Sequence, residues 1–154
     1  MIRIVQLQKP EEKKKATREV LESLKDWFGI PEAREEYITR CVNQLFWCAY
    51  DEDKIIGFLY LYETGKDTVE LYVMGVRKEY HRKGIGRTLF NAAYEYAKIK
   101  EYSFIQVKTV QMGKYEKYDR TNMFYLSLGF REFEVFPTLW DECNPCQVYV
   151  MSIK

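Results

Sequence analysis

Leu71-Tyr-Val-Met-Gly-Val-Arg-Lys-Glu-Tyr-His-Arg-Lys-Gly-Ile-Gly-Arg-Thr-Leu-Phe90 reads as a buried strand, a basic turn with two glycines, and the first turns of a helix. Leu71 to Val76 is apolar and rich in β-branched and aromatic residues, which suits a strand covered on both faces. Gly84 and Gly86 lack a Cβ, so the backbone can turn sharply there and come close to a ligand. Beyond them Leu89, Ala92, Ala93, Tyr96 and Ala97 recur at helical spacing. A helix start offers backbone N–H groups without acceptors and the positive end of a dipole, and both favour an anion. Arg77, Lys78, Arg82, Lys83 and Arg87 surround the same turn. The stretch therefore predicts a phosphate-bearing ligand on the turn.

The chain has 154 residues, 47% hydrophobic and 31% charged, which predicts one globular domain over residues 1–154 with a single sizeable core. Its net charge is +1, so no whole-molecule field draws it to nucleic acid or to an anionic membrane. No apolar run has transmembrane length and Met-Ile-Arg-Ile-Val lacks a signal core, so a cytoplasmic location is the default expectation. Cys41, Cys48, Cys143 and Cys146 are then expected as reduced thiols.

Outward from the glycine turn, Ile2 to Leu7 is a strand candidate. A helix from Glu11 carries the stripe Ala16, Val20, Leu24 and Trp27 as far as Gly29. Pro31 opens a second helix with Ala33, Tyr37, Cys41 and Leu45 on one face. Phe46–Tyr50, Ile55–Glu63 and Thr68–Val76 read as a meander joined by turns. The helix Thr88–Lys100 crosses over to a parallel strand, Ser103–Val110. Gln111–Arg120 reads as a loop, with Thr121 as the N-cap of a short helix that ends at Gly129. Phe130–Phe136 and Gln147–Ile153 are strands around a loop over Pro137–Pro145. The order β-α-α-β-β-β-α-β-α-β-β implies an α/β domain, one mixed sheet flanked by helices.

Several phosphate motifs are absent. There is no Gly-x-x-x-x-Gly-Lys-Ser/Thr loop, and Leu89 stands where a dinucleotide fingerprint needs its third glycine. What is present, Val76 to Tyr80 followed by His81-Arg-Lys-Gly-Ile-Gly86, resembles the acyl-CoA signature of the Gcn5-related N-acetyltransferase (GNAT) superfamily. That signature is Arg/Gln-x-x-Gly-x-Gly/Ala, and His81 takes the Arg/Gln place. Thr121-Asn-Met-Phe-Tyr-Leu-Ser-Leu-Gly-Phe130 is similar to a second element of the family, with Tyr125 four residues before Gly129. Many members place an asparagine seven residues before that tyrosine. Here the position is Tyr118, Asn122 is off-register, and which of them contacts the cofactor stays open.

The resemblance implies direct transfer of an acetyl group from acetyl-CoA, a co-substrate, to a primary amine. It places the pyrophosphate on Arg82, Lys83, Gly84, Ile85, Gly86, Arg87 and the Thr88 hydroxyl, and the pantetheine along Met74 and Val76. The Met74 N–H would polarise the thioester carbonyl, and Gly75 would permit a local bulge. Tyr125 is the candidate general acid, because a phenol of ordinary pKa, about 10, holds a proton for a departing thiolate at neutral pH. Glu70, eleven residues before His81, resembles in register the glutamate base of the family's histone-acetylating members. His81 sits in the pyrophosphate turn and is read as structural.

Cys143-Asn-Pro-Cys146 has no second ligand pair, so neither a zinc site nor any other metal site is expected. The acceptor is expected to meet Trp27, Phe28, Glu32, Glu35, Trp140, Asp141 and Glu142, an aromatic and acidic set that suits a small cationic amine. A protein or peptide N-acetyltransferase and a non-catalytic acyl-CoA-binding module are the alternatives, and a homodimer is compatible with so small a domain.

Overall fold

The computed structural model describes residues 1–154. Seven strands hydrogen-bond in the order β1-β2-β3-β4-β5-β7-β6, a mixed sheet in an α/β fold. They are β1 (Ile2–Leu7), β2 (Leu45–Asp51), β3 (Lys54–Gly65), β4 (Thr68–Val76), β5 (Phe104–Val110), β6 (Arg131–Asp141) and β7 (Asn144–Ser152). The helices are α1 (Pro10–Glu22), α2 (Pro31–Arg40), α3 (Ile85–Ile99) and α4 (Glu116–Leu128). No helix is long and apolar enough to cross a membrane. The chain forms two compact units, residues 1–62 with 72–96, and residues 63–71 with 97–154.

In the first unit β1 and β2, and β2 and β3, pair antiparallel. Proline opens α1 and Glu11 and Glu12 complement its dipole, while Ala16, Thr17, Val20 and Leu21 bury one stripe. A Cβ on Gly75 of β4 would meet Leu24 at 3.0 Å and Val20 at 3.1 Å, so this glycine lets the α1 side of the core approach the strand. A Cβ on Gly57 of β3 would meet Leu89 of α3, whereas its neighbour Phe58 packs in the cluster with Val20 and Leu21. Successive strand residues point to opposite faces, so α1 and α3 cover opposite faces of this part of the sheet. Tyr72 and Val73 both pack against the α1 cluster, so strict alternation is interrupted between them, two to three residues before the expected bulge at Gly75.

Lys13 lies in the buried stripe of α1, and its ammonium donates to the carbonyls of Val42 (3.1 Å) and Gln44 (2.7 Å). The lysine thereby caps the tight turn at Cys41–Asn43 that leads into β2, and burial lowers its pKa.

In the second unit β4 pairs in parallel with β5 over Thr68–Leu71, and β5 and β6 each pair antiparallel with β7. Gly129 ends α4 in a left-handed conformation, φ +108°.

Five expected boundaries move. Helix α2 stops at Arg40, so Cys41 lies in the tight turn after it and Leu45, expected on its face, opens β2. The first helix stops at Glu22 rather than running to Gly29, because the Ser23 hydroxyl takes the Val20 carbonyl (2.6 Å) and Leu24 to Phe28 continue in tighter turns. Helix α3 begins at Ile85, three residues before the expected Thr88. Helix α4 begins at Glu116, so Thr121 is not an N-cap; its hydroxyl bonds the Lys117 carbonyl inside the helix. The expected loop over Pro137–Pro145 is mostly strand, because Asp141 accepts from the N–H groups of Cys143 (2.8 Å) and Asn144 (2.9 Å) and closes a hairpin.

Candidate functional site

The glycine turn lies in the first unit and its strand end is tightly held. The Arg77 N–H donates to the Ile56 carbonyl (2.9 Å) and its guanidinium to the Ile55 carbonyl (2.7 Å) and to Glu19 (3.4 Å). A His81 ring nitrogen lies 2.6 Å from the Val76 carbonyl oxygen, and the ring meets Trp27 edge-on at 5.9 Å. Histidine thus braces the turn, in keeping with its structural reading. The Tyr80 hydroxyl donates to Asp51 (2.6 Å), which holds that carboxyl below its ordinary pKa and raises the phenol's. Lys78 pairs with Asp26, and the Lys83 ammonium lies 5.2 Å from the centre of the Tyr80 ring, so cations of the turn are engaged within the fold.

Arg82, Lys83, Gly84, Arg87 and Thr88 are exposed, and Ile85 is buried under the turn. Arg82 and Gly84 both take left-handed conformations, φ +63° and +80°. A Cβ on Gly84 would meet nothing within 4 Å, so the space beside this backbone is open. The first helical bond runs from the Thr88 N–H to the Gly84 carbonyl (3.0 Å), which leaves the N–H groups of Ile85 and Gly86 without an acceptor inside α3. An open, positive-φ cradle on a helix N-terminus fits a pyrophosphate. The Thr88 hydroxyl donates to the Gly84 carbonyl (2.9 Å), so it offers a phosphate a donor only by exchanging that bond. Met74 and Val76 lie half-buried on β4, leading into the same turn.

Glu70 and Tyr125 lie in the second unit. Glu70 is only 4% exposed, far from a strand-end surface glutamate. Its Oε1 accepts from the amide of Gln106 (3.1 Å) and the ammonium of Lys108 (3.0 Å), both on β5. Register puts Glu70 opposite Gln106, with Lys108 two residues along on the same face. Nothing local marks this pairing; the signal in the sequence is the polar alternation Gln106-Val-Lys108 in an otherwise apolar strand.

Tyr125 is 7% exposed, with Phe130 edge-on at 5.9 Å and Tyr149 at 6.3 Å. Tyr149 is opposite Val107, the neighbour of Gln106, so Tyr125 packs on the face opposite Glu70. The structure therefore does not bring the Tyr125 hydroxyl and the Glu70 carboxylate together on one face of the sheet. Asn122 is fully buried: its amide donates to the carbonyls of Val110 (2.9 Å) and Tyr118 (2.7 Å) and accepts from the Tyr149 hydroxyl (2.5 Å). That amide ties α4 to β5 and β7, and both of its donors are engaged. Burial raises the pKa of the Tyr118 and Tyr149 phenols.

The acidic set expected to hold a cation is partly engaged elsewhere. Both oxygens of Glu35 bind Arg18 (2.7 and 3.0 Å), and Asp141 closes its hairpin. Cys146 is buried in β7 with its thiol pushed up to about 11 by burial, and Cys143 is exposed in the turn. No group of three or more His, Cys, Asp or Glu side chains is arranged to hold a metal ion.

A family model described as an acetyltransferase (GNAT) domain matches residues 42–132, more than half of the chain. The chain belongs to the GNAT acetyltransferase family. This GNAT domain is also 31% identical to an N-acetylaspartate synthetase of Xenopus tropicalis over 104 residues, 66% of the chain. It spans only 36% of that relative's length. Among solved structures, the ribosomal-protein-S18-alanine N-acetyltransferase of Escherichia coli superposes with a TM-score of 0.78 at 16% identity, covering 100% of this chain and 95% of that one. An aminoglycoside 6′-N-acetyltransferase in complex with coenzyme A gives 0.77 at 16% identity, over 99% and 97%. At such identities the likeness is one of fold.

Proposed function

We propose that this GNAT domain transfers the acetyl group of acetyl-CoA to the primary amine of a small molecule. The observation that carries this reading is the open cradle at Gly84, with its positive φ and the N–H groups that open α3. The backbone from Arg82 to Arg87 binds the pyrophosphate, and Arg82, Lys83 and Arg87 add attraction. Met74 and Val76 hold the pantetheine, and the Met74 N–H donates to the thioester oxygen.

Glu70 accepts the amine proton as the C–N bond forms and the C–S bond breaks, and the Tyr125 hydroxyl gives its proton to the departing sulfur. The products are an N-acetyl amide and free CoA. Lys108 balances the charge of the buried Glu70 carboxylate, which therefore stays available without an unpaired charge in the core.

The relatives' names cover three kinds of acceptor: the aspartate of an N-acetyl amino acid, the alanine of a ribosomal protein, and an aminoglycoside. Glu35 and Asp141 already have partners, which leaves less negative charge for a strongly cationic acceptor. We place the protein in the cytoplasm. Release of CoA thiol from acetyl-CoA, followed over a panel of small amines and peptides, tests the reading. Turnover with a small amine is expected. Turnover with peptides alone would favour a protein acetyltransferase, binding without turnover a non-catalytic module, and no binding would remove the reading.

A further inference from the structure

We infer that the Glu70–Lys108 pair is the acceptor-recognition site and that the acceptor is an α-amino acid, its amine at Glu70 and its carboxylate on Lys108. This rests on the acetyltransferase reading and names the substrate class of the same site. The pair is unusual for a strand interior, since the Glu70 side chain is 5% exposed and that of Lys108 31%. Ion pairs of this kind are weak devices for stability, because apolar residues of equal volume serve as well or better. Its geometry also leaves capacity unused. Gln106 and Lys108 both bind Oε1 of Glu70, and no protein group bonds Oε2. No buried side-chain oxygen lacks a partner, so Oε2 reaches the surface. The Lys108 ammonium has three N–H donors, of which Glu70 takes one.

A free carboxylate oxygen therefore stands beside a half-exposed ammonium with two free donors. The complement is an ammonium and a carboxylate carried on one carbon, in the opposite order. A polyamine would satisfy Glu70 and meet repulsion at Lys108. A peptide N-terminus would satisfy Glu70 and bring only a neutral carbonyl to Lys108. Glu134 shares the face but lies across Val148 from Lys108, two strand spacings or about 10 Å away, and forms no ion pair with it. The anion that completes Lys108 must come from the ligand.

The test is calorimetric titration of the CoA-loaded protein with the common L-amino acids, each beside its α-amide, which differs only in lacking the carboxylate charge. At least one amino acid is expected to bind roughly 10- to 100-fold more tightly than its amide, the range of a charge-assisted hydrogen bond. Lys108→Gln should bring acid and amide to equal affinity. The comparison in the unaltered protein stands even if Lys108→Gln unfolds by leaving Glu70 unpaired. Amides that bind as well as acids, or a preference that survives Lys108→Gln, would overturn the assignment. Turnover confined to polyamines or peptides would overturn it too, and leave the acetyltransferase reading intact. Absence of turnover with every amine would instead defeat that reading while the acid–amide comparison remained legible.

Discussion

Asn122 commits its whole amide to the protein: both N–H groups and the oxygen are bonded inside the second unit. Its position in the chain suggested a weak substitute for a cofactor-binding asparagine, because its partners Val110 and Tyr149 lie far away in sequence. Glu70 shows the same limit from the other side. Its register singled it out, yet its burial and its pairing with Lys108 arise from alignment of β4 with β5, which no local pattern reveals. Asn122→Leu is expected to cost about 2–4 kcal/mol, since it removes three hydrogen bonds and strands the Tyr149 hydroxyl. Tyr149→Phe is expected to cost about 1–2 kcal/mol, and the double variant less than the sum of the two. Urea unfolding of all four proteins checks this. A fall in acetyl-CoA affinity in Asn122→Leu at unchanged stability would return the residue to the cofactor site.

At the scale of elements, two glycines close two different tasks. Gly84 takes φ +80° with open space where a Cβ would stand, and Gly129 takes φ +108° with Met151 at 3.1 Å. Alanine in a left-handed conformation costs about 1–2 kcal/mol, so both variants should lose that much stability. Only Gly84→Ala also places a methyl in the cradle at the start of α3. Its acetyl-CoA dissociation constant should rise roughly 10-fold or more, an effect worth about 1.4 kcal/mol, beyond the loss seen in Gly129→Ala. Equal affinities for the two variants, measured by calorimetry, would move the pyrophosphate away from this turn.

The glycines were readable from the sequence because their backbone demands are local, and the strand–turn–helix around Gly84 followed from them. Element ends were less readable. The start of α4 has no side-chain cap to announce it, and β6 runs on through Pro137 because the Asp141 turn closes the hairpin behind it.

For the whole molecule, the element order and the mixed sheet followed from periodicity and turn residues. The aromatic-rich core, with 13 tyrosines in the chain, has a consequence that periodicity does not show. Burial raises the Cys48 thiol to about 12, the Cys146 thiol to about 11 and the Tyr50 phenol to about 12, and it raises the Tyr60 phenol as well. Each folded-state value lies above the unfolded one, so the native state keeps protons that the unfolded chain releases. The stability tied to these groups is complete below the unfolded values of 9.0 for cysteine and 10.0 for tyrosine, and it is lost as pH rises toward the folded values. Burial raises the Cys41 thiol and the Tyr118 and Tyr149 phenols in the same sense. Lys13 acts in the opposite sense, because its folded pKa is lowered and rising pH relieves its burial, but the raised thiols and phenols outnumber it. The urea midpoint should therefore begin to fall near pH 9 and fall more steeply above pH 10. A Cys41→Ala, Cys48→Ala, Cys146→Ala variant should hold its own midpoint level to about pH 10, because only the tyrosines then remain among the buried acids that release protons on unfolding. A midpoint that is flat or rising from pH 9 to 11 in the unaltered protein would mean that these thiols and phenols reach water in the native state.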